Sequence, residues 1–311
     1  MIKPRALHPG DRVAVVAPAS PFLRDEFDRG IAEIRALGLV PVYDESVFAV
    51  GPGARSYVAG TPEVRAEAVM RAWSDPTVAG IIAARGGYGS AEILPLLDPE
   101  EARRARKPFV GYSDTTAILT FLTLHCGVAA FHGPMLAGRL SEGAAGYDRD
   151  SFERILCRIE PAGDLAPAGL ETIRPGEATG LLFGGTLTQI LASLATPFAF
   201  DPPSGFLLFL DEVGERPYRL DRMLVQLRQS GLLSRASAVV FGQLPRCDEP
   251  SGQPTGRGII AELLGAAPIP VVIGFPSGHT IGPSMTLPFG VRCTVVADAH
   301  PRLIVEEAAV S

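Results

Sequence analysis

Short, unbroken apolar runs alternate with stretches of helical periodicity along most of the chain. Residues 13–17 (VAVVA) follow Asp11-Arg12 and predict a buried strand, which Pro18-Ala19-Ser20-Pro21 breaks. Phe27, Ile31, Ile34 and Leu37 recur at helical spacing and predict an amphipathic helix over 25–37, stopped by Gly38. Residues 40–43 read as the next strand. A helix over 62–74 follows, with Thr61 as its cap and Pro62 as its first residue. Residues 80–84 and 108–111 are further strands, and 114–125 a further helix. Repeated strand–helix units of this kind imply a parallel sheet covered by helices.

From about 140 to 178 the pattern dissolves into Gly, Ala, Glu and Pro, which reads as a linker with one short helix near 151–158. Alternation resumes after it. Strands are expected over 179–183, 206–210, 236–241 and 271–274, with helices near 186–194, 221–230 and 256–264. Residues 284–306 are β-rich. The expected organisation is therefore a first α/β domain over 1–140, a linker over 141–178 and a second, β-rich α/β domain over 179–311.

Composition changes this picture little but narrows the function classes. Of 311 residues, 47% are hydrophobic and 20% charged, ample for a core. The net charge of −6 supplies no basic face for nucleic acid or an anionic membrane. No apolar run approaches the roughly 18 residues of a membrane helix, and MIKPRALHPGD does not read as a secretory signal. Cys126, Cys157, Cys247 and Cys293 form no CxxC pair, so neither a zinc knuckle nor a disulfide framework is expected, and a reducing cytoplasm is the default reading. The histidines form no spaced metal motif, so no metal site is expected.

In parallel sheets, reactive groups collect beyond the carboxyl ends of strands. Four such turns stand out: 85–89, 111–115, 211–215 and 276–279. In PFVGYSDTTAIL (108–119) a strand reaches Gly111, Ser113 sits on the turn, and a helix begins at Asp114. Such an elbow lifts a serine oxygen above the sheet and puts the following N–H groups at a helix N-terminus, where they can stabilise an oxyanion. The match to G-x-S-x-G is half complete, and Ser113 reads equally as a plain N-cap. In RGGYGS (85–90), Gly86 and Gly87 permit a close backbone approach, but no nucleotide-binding glycine motif is present. Arg85 is either a carboxylate ligand or a surface arginine. Asp211 and Glu212 end a buried strand and point to opposite faces. His279, in the GFPSGHT loop, is a candidate base. His132, in FHGPM, lines the same cleft or packs. Ser113, an acid at 211–212 and His279 together supply a nucleophile, an orienting carboxylate and a base.

These motifs, in this order, resemble the LD-carboxypeptidases, the muramoyltetrapeptide carboxypeptidase family of serine peptidases. The resemblance runs from PGDRVAVVAPASP (9–21) through ARGGYG (84–89), FVGYSDTTAIL (109–119), FHGPM (131–135), GGTLTQI (184–190) and LLFLDEVGERPYRLDRML (207–224) to GFPSGHT (274–280) and TLPFG (286–290). It implies a Ser-Glu-His triad, with Ser113 as nucleophile and His279 as base. It also implies an oxyanion hole at Asp114 and the Gly86-Gly87 turn, no metal or organic cofactor, and commonly a homodimer. The implied substrate is cytoplasmic murein tetrapeptide, cleaved to release its terminal D-alanine; relatives instead inactivate microcin C-like peptide–nucleotides or acyl-sulfamoyl adenylates. The fold expected is α/β, an N-terminal Rossmann-like parallel-sheet domain carrying the nucleophile elbow plus a β-rich C-terminal domain carrying the acid and the histidine. Gly87 and Asp114 are the expected oxyanion-hole residues, and Arg85, Gly86 and His132 the expected substrate-binding residues. Two positions depart from the family pattern. The acidic pair is Asp211-Glu212 rather than Glu-Asp. Ungapped matching puts Asp211 at the triad position whereas residue type favours Glu212. Thr186 stands where an asparagine of unclear role is more usual.

Overall fold

The computed structural model describes residues 1–311, the side chain of Ala54 excepted. The first half contributes strands β1 (Arg12–Val16), β2 (Val40–Val42), β3 (Val78–Ala83), β4 (Phe109–Gly111) and β5 (Ala130–His132). The second half contributes β6 (Gly163–Leu165), β7 (Glu171–Arg174), β8 (Gly176–Thr186), β9 (Phe206–Asp211), β10 (Ala236–Gly242), β11 (Val271–Phe275), β12 (Leu287–Phe289), β13 (Val291–Ala297) and β14 (Arg302–Val305). They build two sheets, ordered β12-β5-β4-β3-β1-β2 and β6-β14-β13-β8-β9-β10-β11-β7. In the first, β5, β4, β3, β1 and β2 are parallel and β12 runs antiparallel at the edge. In the second, β8 to β11 form a parallel centre flanked by antiparallel strands.

Local chemistry accounts for the helices that pack on these sheets. Thr61 accepts the Val64 N–H and Pro62 occupies the first turn, where its missing N–H costs nothing. The Arg24–Ala36 helix buries Phe27, Ile31 and Ile34 on one face, and Gly38 leaves it at φ +80°. The segment from 113 to 125 is one continuous helix that starts tight, as a 3₁₀ turn, and ends in a wide π turn.

The segment expected to be a linker over 141–178 is structured. It holds the Arg149–Leu156 helix, and β6 and β7 pair at opposite edges of the second sheet. Its glycines and prolines set turns between short elements. Conversely, β12 crosses back to pair with β5, so the second half of the chain completes the first sheet. The apolar side chains divide accordingly. One buried cluster spans the first sheet and the near face of the second, including Leu207, Phe209 and Phe275; another fills the far face, including Leu208, Leu210 and Phe241. Alternation along β9 thus sends Leu207 and Phe209 toward the first sheet and Leu208 and Leu210 away from it.

Candidate active site

Ser113 occupies the turn between β4 and its helix. Tyr112 is extended, and Ser113 takes φ +62°, a left-handed conformation unusual for a residue with a Cβ. The strain is held from both sides. Thr115 Oγ1 donates to the Tyr112 carbonyl at 2.8 Å. Asp114 is buried beneath the turn, where its carboxylate accepts the Ser90 N–H at 2.8 Å. Burial outweighs that bond and raises the Asp114 carboxyl above its ordinary range. Gly86 lies directly against the serine. A Cβ at Gly86 would sit 2.9 Å from Ser113 Cβ and 3.2 Å from Oγ, so only glycine lets the turn approach this closely. The turn is tied down in its own right. Ser20 N–H donates to the Gly86 carbonyl, Tyr88 N–H donates to Ser20 Oγ, and the buried Arg65 donates to the Pro18 and Gly89 carbonyls.

The acidic pair separates as strand alternation requires. Asp211 continues the face of Leu207 and Phe209, toward the first sheet, and is fully buried. Its Oδ2 accepts both the His279 backbone N–H at 2.9 Å and His279 Nδ1 at 2.6 Å. Its Oδ1 accepts Thr186 Oγ1 at 2.7 Å. Burial alone would raise this carboxyl, but the nearby imidazoles of His279 and His132 and the hydrogen bonds from His279 hold it well below the carboxylate range. For His279 burial acts to lower the pKa, yet the charge of Asp211 and the bond to it prevail and raise it. Glu212 turns to the other face. It accepts Thr188 N–H and Oγ1 and its neighbour Val213 N–H, tying down the start of the Leu187–Ser193 helix, and burial raises its pKa. Asp211, not Glu212, therefore meets the histidine.

Glycines again make the close approaches. A Cβ on Gly278, at φ +75°, would fall 2.3 Å from Asp211 Oδ2 and 2.6 Å from His132 Cε1. The loop carrying His279 is also pinned by Arg139, whose Nη2 donates to the Gly278 and Thr280 carbonyls at 3.0 and 3.1 Å. Gly278→Ala is expected to displace this loop and lower kcat about a hundredfold, the loss that a misplacement of about an ångström in the candidate base His279 would bring. Steady-state kinetics beside a thermal melt tests this; wild-type kcat in the variant would refute it.

The structure brings the sequence-predicted residues together unequally. The His279 ring packs on Tyr112, the residue before Ser113, with ring centroids 5.1 Å apart, and its hydrogen bonds go to Asp211. His132 corrects an expectation. It has no exposed surface, so it cannot contact substrate. It is wedged among Tyr112, Phe209 and Phe289, its Nδ1 meets Ser277 Oγ at 3.0 Å, and its Nε2 lies 3.7 Å from Asp211 Oδ1. Arg85 is exposed and donates to the Pro21 carbonyl at 2.7 Å. Arg139, Gly278 and the role of Thr186 escaped sequence reasoning. The only signal among them was the unusual threonine at 186. Burial raises the cysteine thiols, to about 12 at Cys126 and about 11 at Cys157 and Cys247, which makes them poor nucleophiles. Among the described residues, no three His, Cys, Asp or Glu side chains group to hold a metal ion, and no helix is long and apolar enough to cross a membrane.

Residues 13–133 match the model of the LD-carboxypeptidase N-terminal domain and residues 179–295 that of the LD-carboxypeptidase C-terminal domain. A putative carboxypeptidase of Streptomyces coelicolor is 37% identical over 96% of this chain and 94% of its own length. The murein tetrapeptide carboxypeptidase of Pseudomonas aeruginosa is 30% identical over 86% of this chain and 88% of its own. The structure of MccF in complex with glutamyl sulfamoyl guanosine superposes with a TM-score of 0.90, covering 100% of both chains at 22% identity, a likeness of fold.

Proposed function

The chain belongs to the LD-carboxypeptidase family of peptidases, and from that premise we propose that it is a serine-type LD-carboxypeptidase that releases the terminal D-alanine of murein tetrapeptide in the cytoplasm during cell-wall recycling. The observation that carries this reading is the hydrogen-bonded Asp211–His279 pair, whose imidazole packs on Tyr112, next in sequence to the strained Ser113 at a strand–helix elbow. The name of the Pseudomonas relative supports the substrate.

The chemistry follows from the tautomer. With Nδ1–H donated to Asp211, the lone pair of His279 Nε2 is left to accept a proton. Ser113 Oγ gives its proton to Nε2 as it attacks the carbonyl of the terminal peptide bond. The oxyanion that forms takes N–H groups from Gly87 and from Asp114 at the head of the helix. His279 then returns the proton to the departing D-alanine, and water resolves the acyl-enzyme by the same route. Resting serine–histidine contacts commonly tighten only once substrate is bound. Arg85 is the candidate for the substrate's free carboxylate, and Gly86 keeps space open beside the nucleophile. A homodimer belongs to the same reading and is tested by analytical ultracentrifugation.

The pH dependence has a definite sign. His279 acts as a base only when neutral, and Asp211 raises its pKa. Activity is therefore lost as pH falls through a midpoint above the ordinary imidazole value of about 6.5.

A second reading, hydrolysis of a peptide–nucleotide conjugate, is favoured by one observation. Trp73 is buried and cannot stack, but Tyr57 and Tyr88 are each about half exposed (52% and 50%) and lie edge to face at 5.8 Å, with Tyr88 only two residues from Gly86. Such a pair could carry a planar base. Mass spectrometry of products from L-Ala-γ-D-Glu-meso-diaminopimelyl-D-Ala and from an aminoacyl sulfamoyl adenosine separates the two. Loss of one D-alanine from the first is the expected result. Cleavage of the second alone would replace the proposed substrate.

A further inference from the structure

We propose that Thr186 is a positioning residue of this site, whose hydroxyl holds the Asp211 carboxylate in register with the element that carries Ser113; the inference rests on the serine-peptidase reading above. Asp211 comes from the second sheet and Ser113 from the first, so their alignment depends on what connects the two. Thr186 makes a direct hydrogen-bonded connection between them. Its backbone N–H donates to Thr116 Oγ1 at 3.0 Å, and Thr116 lies three residues beyond Ser113 in the same helix. Its hydroxyl donates to Asp211 Oδ1 at 2.7 Å, while Oδ2 is occupied twice by His279. A hydrogen-bonded line thus runs from the helix of the nucleophile through Thr116, Thr186 and Asp211 to His279.

The backbone around Thr186 is shaped for this contact. A Cβ on Gly185 would fall 2.4 Å from Thr116 Cγ2, and one on Gly184 would fall 2.0 Å from the Phe209 carbonyl. The two glycines let the end of β8 pass close to both the nucleophile's helix and β9. Thr186 itself is buried, which separates it from substrate. Its β-branched side chain has a restricted χ1, whereas the terminal torsion of an aspartate is broad. The stiff residue therefore fixes the loose one. Without the hydroxyl, Oδ1 of a buried carboxylate loses its donor and the plane presented to His279 is free to rotate.

The test is Thr186→Val, which keeps the shape and deletes the hydroxyl, beside Thr186→Ser, which keeps the hydroxyl. Both are measured for tetrapeptide hydrolysis and for the rate at which a fluorophosphonate probe labels Ser113. Thr186→Val should lower kcat and the labelling rate roughly ten- to a hundredfold with little change in KM. It should also move the acid limb upward by a few tenths of a pH unit, because the charge of Asp211 then falls more fully on His279. Thr186→Ser should recover most of the rate. Three results would overturn the proposal: an unchanged rate and pH limb in the valine variant, a change confined to KM, or a serine variant as slow as the valine variant at equal melting temperature. If the valine variant fails to fold, Thr186→Ala replaces it with the same expectations. If wild type takes the probe but leaves the tetrapeptide intact, the substrate reading fails and the labelling rates still decide on Thr186. If wild type takes no probe, the serine reading and this proposal fall together.

Discussion

Ser113→Ala is expected to leave a folded protein whose kcat for tetrapeptide hydrolysis is about 10⁶-fold lower, the usual scale for removing a covalent nucleophile. The folding half of this expectation follows from the backbone. Ser113 holds φ +62°, and alanine has the same Cβ, so the substitution adds no strain. The supports of the turn belong to other residues: Thr115 donating to Tyr112, Ser90 donating to Asp114 and Gly86 packed against the Cβ. The melting temperature should therefore stay within a few degrees of wild type. The kinetic half follows from covalent catalysis, because the neighbouring hydroxyls are engaged elsewhere, Thr115 Oγ1 with the Tyr112 carbonyl and Thr116 Oγ1 with the Thr186 N–H. Any residual rate should come from the oxyanion N–H groups and substrate positioning alone. A kinetic assay with a circular-dichroism melt checks both halves. Retention of more than about a hundredth of wild-type kcat would remove Ser113 from the mechanism.

What could be read from the sequence divides along physical lines. Elements set by local pattern were legible: the Gly256–Leu264 helix, the capped Pro62–Ser74 helix and the apolar core strands β1, β9 and β10. Their periodicity and punctuation are contained within a few residues. Strands β6 and β7 were not legible. Each is three or four residues long, lies among Gly and Pro, and is a strand only because a neighbour offers an edge to pair with. The β character of 284–306 was legible, but the place of β12 was not, because its partner β5 lies more than 150 residues away in sequence. At the site, alternation correctly separated Asp211 from Glu212 but could not say which faced His279. That depends on which side of the second sheet packs against the first. His132 shows the converse limit. A histidine in FHGPM reads equally as cleft lining or as packing, and only the closure of Phe209 and Phe289 on the end of β5 decides that it is buried.

Asp211→Asn should lower kcat about 10⁴-fold, while Glu212→Gln stays within about threefold of wild type. The difference lies in what each carboxylate touches. Asp211 Oδ2 accepts two His279 donors, and its charge fixes the Nδ1–H tautomer. An asparagine can present its NH₂ to Nδ1, which puts the remaining proton on Nε2 and leaves no lone pair for Ser113. The loss of charge also removes what raises His279, so the residual activity should show its acid limb at lower pH than wild type. Glu212 instead serves Thr188 and Val213 on the far face, so a glutamine there, whose NH₂ cannot accept from one of these donors, costs some stability but leaves the bonds between Asp211 and His279 untouched. Full pH–rate profiles of both variants make the comparison decisive. A silent Asp211→Asn together with a crippled Glu212→Gln would transfer the orienting role to Glu212, and would require the end of β9 to rotate in solution by one residue against the packing of Leu207 and Phe209.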